Sequence, residues 1–346
     1  KKLEDILNEN LKKLNRQKGV GIVMNPQNGE IMALVSLPTF DANIFARGIT
    51  INEYQSLEQS IDKPLFNRAV SGEYPSGSTI KPIIAAAALQ EKIISSDTSF
   101  LSTGGLQVGQ WSFPDWKAGG HGVTNVRKAI AESVNTFFYY IGGGYNDFQG
   151  LGIDKMVVYL KKFLLGEKLG IDLPNEASGF VPTKSWKEET KKEKWYIGDT
   201  YHVAIGQGDL ITTPLQVATY TSFFANGTKM FQPHLVKEVR TPDGQVITSV
   251  VPKILAENIL SPDVVRIVRE GMKQTTVSGS ARSLSELPVS SAGKTGTAQW
   301  SSKKDPHAWF TGFAPYENPE IVITILVEEG KEGSIAATPV AREFLK

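Results

Sequence analysis

Strand-type apolar segments stand at opposite ends of this chain, with helix-type patterning between them, and that arrangement limits the folds open to it. Near the N-terminus, Val20-Gly21-Ile22-Val23-Met24 and Glu30-Ile31-Met32-Ala33-Leu34-Val35 read as two strands. They flank Asn25-Pro26-Gln27-Asn28-Gly29, whose Asn-Gly step is a hairpin signal. Near the C-terminus, Ala308–Ala314 and Glu320–Glu328 read as strands joined through Pro315-Tyr316-Glu317-Asn318-Pro319, with a closing helix at about 336–345. Strands at both ends can share a sheet only through non-local pairing, with everything between them inserted. The expected fold class is therefore α+β: a central antiparallel sheet built from both chain ends with flanking helices, plus an inserted, mostly helical subdomain.

The helical signals support this. Leu3, Leu7, Leu11 and Leu14 recur on one face of a helix over 3–14, ended by Gly19. Ile80–Leu89 reads as a helix. Thr213-Pro214-Leu215-Gln216 opens another, with Thr at the cap, Pro at the first helical position and Gln at the third; Asn226-Gly227 closes it. Ser261-Pro262 opens a third, with Val264, Val268 and Met272 on one face. The Lys/Glu-rich run Lys184–Lys194 reads as a solvated loop.

Composition narrows the chemistry. The 346 residues contain no cysteine, which excludes disulfides, a thiol nucleophile, iron–sulfur clusters and thiolate zinc sites. Lys+Arg number 37 against 36 Asp+Glu, so nothing favours a nucleic-acid partner. The longest apolar runs, Ile83–Leu89 and Ile321–Val327, fall short of a membrane span. The chain begins at Lys1 without an initiator Met or a signal-peptide core, and the expectation is a piece of a longer protein.

With no cysteine and four histidines, a serine activated by lysine is the natural candidate nucleophile. Ser-x-x-Lys at a helix start puts both side chains on one face, and the helix N-terminus adds N–H donors for developing negative charge. Ser60-Ile61-Asp62-Lys63 runs into Pro64, which disfavours a helical Lys63. Ser301-Ser302-Lys303-Lys304 lies in a polar loop. Ser78-Thr79-Ile80-Lys81 follows the turn formers Tyr74-Pro75-Ser76-Gly77 and leads into an apolar helix, with Pro82 tolerated in its first turn. Two more signatures follow: Ser133-Val134-Asn135, the only Ser-x-Asn, 55 residues on, and Lys294-Thr295-Gly296-Thr297, holding the only Lys-Thr-Gly, 161 residues later. Each alone reads as a cap, a helix–loop junction or a strand. Together, in this order, they form the motif set of penicillin-binding proteins and serine β-lactamases.

The chain resembles the transpeptidase domain of class B penicillin-binding proteins, nearest the elongation-type group called penicillin-binding protein 2. The similarity runs from about residue 20 to the end. It includes Asn67–Pro82, Ile205-Gly206-Gln207-Gly208 with Thr212–Gln216, Ala292–Gln299, and Trp309–Pro315. Ser76 stands where a second proline is common, and Ser280 where threonine is common. The resemblance implies the penicillin-binding/β-lactamase-like fold as a single transpeptidase domain over 1–346. Its sheet subdomain would span approximately 19–75 and 285–346, with the helical subdomain and active-site helix at approximately 76–284.

The resemblance also implies a mechanism. Ser78 would attack the D-Ala–D-Ala carbonyl of a peptidoglycan stem peptide and form an acyl-enzyme. Lys81 would be the base, its pKa lowered by burial and by nearby Lys294. Ser133 would relay a proton to the leaving D-alanine, and Asn135 would orient Lys81 and the substrate amide. Lys294 would hold positive potential in the cleft. Thr295 and Thr297, around Gly296, would bind the terminal carboxylate, and the backbone N–H groups of Ser78 and Thr297 would form the oxyanion hole. No metal or other cofactor is implied. Expected partners are stem peptides, β-lactam antibiotics, a glycosyltransferase and other elongation-complex membrane proteins. The expected location is the outer face of the bacterial cytoplasmic membrane, with an anchor in an N-terminal segment outside this chain. The alternatives are a β-lactam-binding sensor, a serine β-lactamase or a D,D-carboxypeptidase.

Weaker signals remain. Asp115 and His121, six apart, offer two metal ligands without an evident third; a contact bracing the loop is the preferred reading. Phe137, Phe138, Tyr139 and Tyr140 read as core, with one available to line a cleft. Trp300 reads equally as groove wall or surface.

Overall fold

The computed structural model describes residues 1–346. Helix α1 (Lys2–Lys13) is followed by strands β1 (Gly19–Met24) and β2 (Ile31–Leu37). The C-terminal part supplies β3 (Ala292–Ala298), β4 (His307–Ala314) and β5 (Ile321–Val327). The sheet order is β3-β4-β5-β1-β2, every pair antiparallel. Gly19 pairs with Val327 and Met24 with Val322, so the first and last strands meet at the middle of the sheet. That is the non-local closure expected from the terminal patterning.

The central strands are buried on both faces. Along β1, β4 and β5 the period-2 alternation sorts side chains into two cores. Val20, Ile22, Trp309, Phe313, Val322 and Leu326 join the larger core, among the inserted helices. Val23, Phe310, Ile323 and Ile325 join the smaller one. Leu3, Leu7 and Leu11 of α1 and Val340 and Ala341 of the C-terminal helix Thr338–Leu345 cover that face.

The inserted helix α2 (Lys81–Gln90) is buried along nearly its whole length, as an all-round apolar helix must be. Beyond it come α3 (Val126–Ala131), α4 (Asn135–Gly143), α5 (Pro214–Asn226) and α6 (Pro262–Val277). The start of α5 is the capping box expected from Thr213 and Gln216. Thr213 Oγ1 accepts from Gln216 N at 3.1 Å, and Gln216 Oε1 accepts from Thr213 N at 3.0 Å. Gly227 closes the helix at φ +92°. No helix is long and apolar enough to cross a membrane.

Two features differ from the sequence reading. The inserted region also carries four two-stranded ribbons, such as Ser99–Ser102 with Gly122–Asn125, too short to register as strand patterns. The Lys184–Lys194 run is not simply a solvated loop. It forms a helical turn, and Lys187 is buried with its ammonium 2.7 Å from Asp199 Oδ2. A lysine followed by two glutamates gave no sign of the partner twelve residues away.

Candidate active site

The Ser-x-x-Lys segment begins as a tight 3₁₀ turn over Gly77–Ile80 that runs directly into α2. This turn lies against β3 and the Ile205–Gly208 loop, and three glycines permit the contact. Gly77 has φ +52°, and a Cβ there would come within 2.7 Å of Thr297 O. A Cβ on Gly206, at φ +74°, would lie 2.0 Å from Gly77 O, and one on Gly296 2.9 Å from Thr79 Cγ2. Polar bonds fix the same seam. Thr79 Oγ1 donates to Ser76 O at 2.8 Å and accepts from Tyr220 OH at 2.9 Å. Trp309 Nε1 donates to Pro75 O at 3.1 Å.

Ser78 lines a cleft bounded by Ser133 and Asn135 on one side and Thr295, Gly296 and Thr297 on the other. Lys81, three residues on from Ser78 and the first residue of α2, is fully buried behind it. Its Nζ donates to Ser133 O at 2.7 Å, Ser133 Oγ at 3.2 Å and Asn135 Oδ1 at 2.6 Å, and lies 5.1 Å from the centre of the Phe138 ring. Three acceptors match the three protons of an ammonium. Burial nevertheless pushes the Lys81 pKa down to about 7, against an opposing pull from the Asp115 carboxylate.

Ser133 sits at the junction of α3 and α4 in the left-handed region, φ +59°, unusual for a residue other than glycine. The junction is held by Asp115. Its carboxylate accepts from Asn135 N at 3.1 Å, Thr136 N at 2.9 Å and Thr136 Oγ1 at 2.7 Å. It thereby caps α4, whose own N-cap residue, Val134, has no side-chain acceptor. Burial alone would raise the Asp115 pKa, but the Thr136 bonds, the charge on Lys81 and the Asn135 N–H carry it below the ordinary value. His121 braces the same loop: Nδ1 is 2.7 Å from Glu132 Oε2, and Nε2 is 3.7 Å from Asp115 Oδ1.

On β3, Lys294 is fully buried and its Nζ donates to Thr295 O at 3.0 Å. Burial and then the charge on Lys81 push its pKa well below the lysine range. For Lys81 itself, burial is the cause of the depression. Thr295 Oγ1 lies 2.6 Å from Ser280 Oγ, and Thr297 O accepts from Gln207 Nε2 at 3.2 Å.

The fold thus gathers Ser78, Ser133, Asn135, Thr295, Gly296 and Thr297 around one cleft, with Lys81 and Lys294 buried beside it. Ser78 Oγ is not among the acceptors around Lys81 Nζ. Ser60 and Ser301 lie outside the cleft, with Lys63 at φ +47° and therefore not helical. Another Ser-x-x-Lys, Ser291 to Lys294, leads into β3 and not into a helix, so its serine and lysine do not share a helix face. Phe137, Phe138 and Tyr139 are buried, Tyr140 is half-buried, and Tyr139 also lines a groove that continues the cleft. Trp300 is both wall and surface. It lines that groove, stacks on His307 at 5.0 Å and stays 43% exposed. Sequence reasoning missed Gln207, Ser280, Trp116 and Glu332 as cleft residues, and the capping role of Asp115. A lone polar residue in a loop carries no signal of what it will face.

Residues 19–346 match the family described as the penicillin binding protein transpeptidase domain. The chain belongs to that family. Among curated relatives, it is 36% identical to the peptidoglycan D,D-transpeptidase MrdA of Haemophilus influenzae, over 96% of this chain and 53% of the relative. It is 37% identical to the protein of the same name from Acinetobacter baumannii, over 93% and 49%. The chain therefore spans about half the length of the curated relatives it matches. Among solved structures, Pseudomonas aeruginosa PBP2 in complex with WCK 5153 superposes with a TM-score of 0.86 at 34% identity, covering 99% of this chain and 73% of that one. Helicobacter pylori PBP2 in its complex with MreC gives 0.84 at 33% identity, covering 99% and 61%. For a penicillin-binding protein transpeptidase domain, the antiparallel sheet with inserted helices is the shared fold.

Proposed function

We propose that this domain is a serine-type D,D-transpeptidase that cross-links peptidoglycan stem peptides and is acylated by β-lactams. The observation that carries the reading is the convergence of three remote segments on one cleft: Ser78 at a helix start, the Lys81–Ser133–Asn135 network and the Lys294–Thr297 strand.

The chemistry follows from those groups. Neutral Lys81 exchanges one of its acceptors for the Ser78 hydroxyl and takes its proton as Oγ attacks the terminal D-Ala–D-Ala carbonyl. The backbone N–H groups of Ser78 and Thr297 stabilise the oxyanion. Thr295 and Thr297 bind the donor carboxylate through their hydroxyls, and an anion there favours the charged form of Lys294. Ser133, bonded to Lys81, passes the proton to the departing D-alanine, while Asn135 orients Lys81 and the donor amide. An amine from a second stem peptide then takes the acyl group.

The domain organisation follows the same reading, with sheet segments at approximately 19–75 and 285–346 around the helical segment at approximately 76–284. The assignment extends to place and company: the extracytoplasmic face of the cytoplasmic membrane, an anchor N-terminal to residue 1, and a membrane glycosyltransferase and elongation proteins as partners. The H. pylori relative in complex with MreC supports a multiprotein setting.

The test is intact mass after incubation with benzylpenicillin. The wild-type chain gains one penicilloyl adduct and keeps it for many minutes to hours after free drug is removed, whereas Ser78→Ala gains none. Labelling of Ser78→Ala ends the assignment. Loss of the adduct within seconds, with turnover of drug, makes the protein a β-lactamase instead.

A further inference from the structure

The cleft around Ser78 is lined almost entirely by neutral groups: hydroxyls, amides, two apolar side chains and backbone. The one charged side chain in its lining is Glu332. Both lysines of the site are buried behind the lining and do not form part of it. The Glu332 carboxylate makes no ion pair within 4 Å; its one side-chain contact is a long 3.5 Å approach from Ser334 Oγ. Its neighbour Lys331 is exposed, lies outside the lining and bonds Pro306 O through its backbone N–H.

Glu332 is held at this place by the backbone. Gly333, the next residue, packs so tightly on the sheet that a Cβ would lie 2.2 Å from Trp309 O and 2.5 Å from Gly296 O. Its N–H points to Thr297 Oγ1 at 3.5 Å. Glu332 thus stands next to the Thr297 end of β3, on the side where the donor's terminal carboxylate sits in the transpeptidase reading. A carboxylate there repels that anion and makes no sense for donor binding alone. Once acylation has expelled D-alanine, the same space is open. The leaving amine and the incoming amine occupy equivalent positions about the acyl carbon, because deacylation by an amine retraces the acylation path in reverse. The incoming amine arrives as an ammonium at neutral pH.

We propose that Glu332 is an acceptor-binding residue that draws a cationic primary amine into the vacated leaving-group site. The inference rests on the acyl-transfer function proposed above. In the step it serves, the bound ammonium releases one proton to water and its nitrogen attacks the acyl carbon. The C–N bond forms, the bond from carbon to Ser78 Oγ breaks, and a second proton passes from nitrogen to Oγ to restore the hydroxyl.

The experiment acylates the protein with a thioester of an acylated D-alanine and lets two nucleophiles compete with water at pH 7. D-alaninamide is mostly cationic there and hydroxylamine is uncharged. For each, the concentration giving half-maximal aminolysis is measured, and the ratio of the two is compared between wild type and Glu332→Gln. An exposed carboxylate–ammonium pair raises that ratio about two- to fivefold on substitution, and about 1 M salt erases the difference by screening. An unchanged ratio, or equal loss with both nucleophiles, overturns the proposal. Failure of the wild-type chain to form any acyl-enzyme overturns instead the acyl-transfer reading beneath it, and mass spectrometry distinguishes the two results.

Discussion

In the mechanism proposed above, Lys81 makes the acylation rate a direct readout of its burial. A lysine at its ordinary value of 10.5 would be deprotonated in only about one molecule in 3000 at pH 7. Lowered to about 7, half the molecules hold a neutral amine at that pH. The base form is the reactive one, so the second-order rate of acylation by benzylpenicillin rises with pH, is half its limit near pH 7 and flattens above about pH 8. Below pH 6 it falls about tenfold per unit. Asp115 opposes the depression, so Asp115→Asn moves the midpoint to lower pH. The same substitution weakens the cap on α4 and lowers the limiting rate, but a purely structural role would leave the midpoint where it was. The assay is stopped-time labelling with a fluorescent penicillin from pH 5 to 9, with circular dichroism confirming the fold at each end. A flat profile, or a midpoint above pH 9, refutes the assignment of Lys81 as a base made competent by burial.

Two other substitutions probe the same arrangement. Lys81→Ala is expected to slow acylation by about 10²–10⁴-fold, and Ser133→Ala by less, since Ser133 serves the proton path through Lys81; near-wild-type rates in both contradict the roles given to them in penicillin labelling. Gly206→Ala forces a side chain to 2.0 Å from Gly77 O in a left-handed backbone, at a cost of about 2–5 kcal/mol, and is expected to lower the urea midpoint and suppress labelling together.

The sheet was readable because its strands are marked by local apolar runs, and because both faces of β1, β4 and β5 are buried, which keeps those runs nearly continuous. The Ser78 turn, the Ser133–Asn135 junction and the Lys294–Thr297 strand were readable as short motifs whose spacing along the chain is irrelevant to their meeting. What stayed hidden depends on contacts between segments. Asp115 bonds Asn135 and Thr136 from 20 and 21 residues away, and nothing in Pro114-Asp115-Trp116 announces that. Glu332 has the look of a surface glutamate until the packing of Gly333 fixes where it stands. The burial of both lysines, and the acceptors each finds there, three for Lys81 and one for Lys294, follow from packing between segments, which no motif encodes.

The glycine seam between the Ser78 turn, β3 and the Ile205–Gly208 loop also bears on heredity. At Gly77, Gly206 and Gly296 any larger residue collides with its neighbours, so on the acyl-transfer function proposed above a lineage under β-lactam selection has no tolerable variant to try at these three positions around Ser78. Variation that distinguishes drug from peptide must therefore accumulate where a side chain already faces open space. In the cleft these places are Trp116, Gln299 and Glu332. Resistance gained there would alter which ligands are admitted to the cleft while leaving the spacing of Ser78 from its partners unchanged, and a survey of selected variants should find the rim mutable and the seam silent.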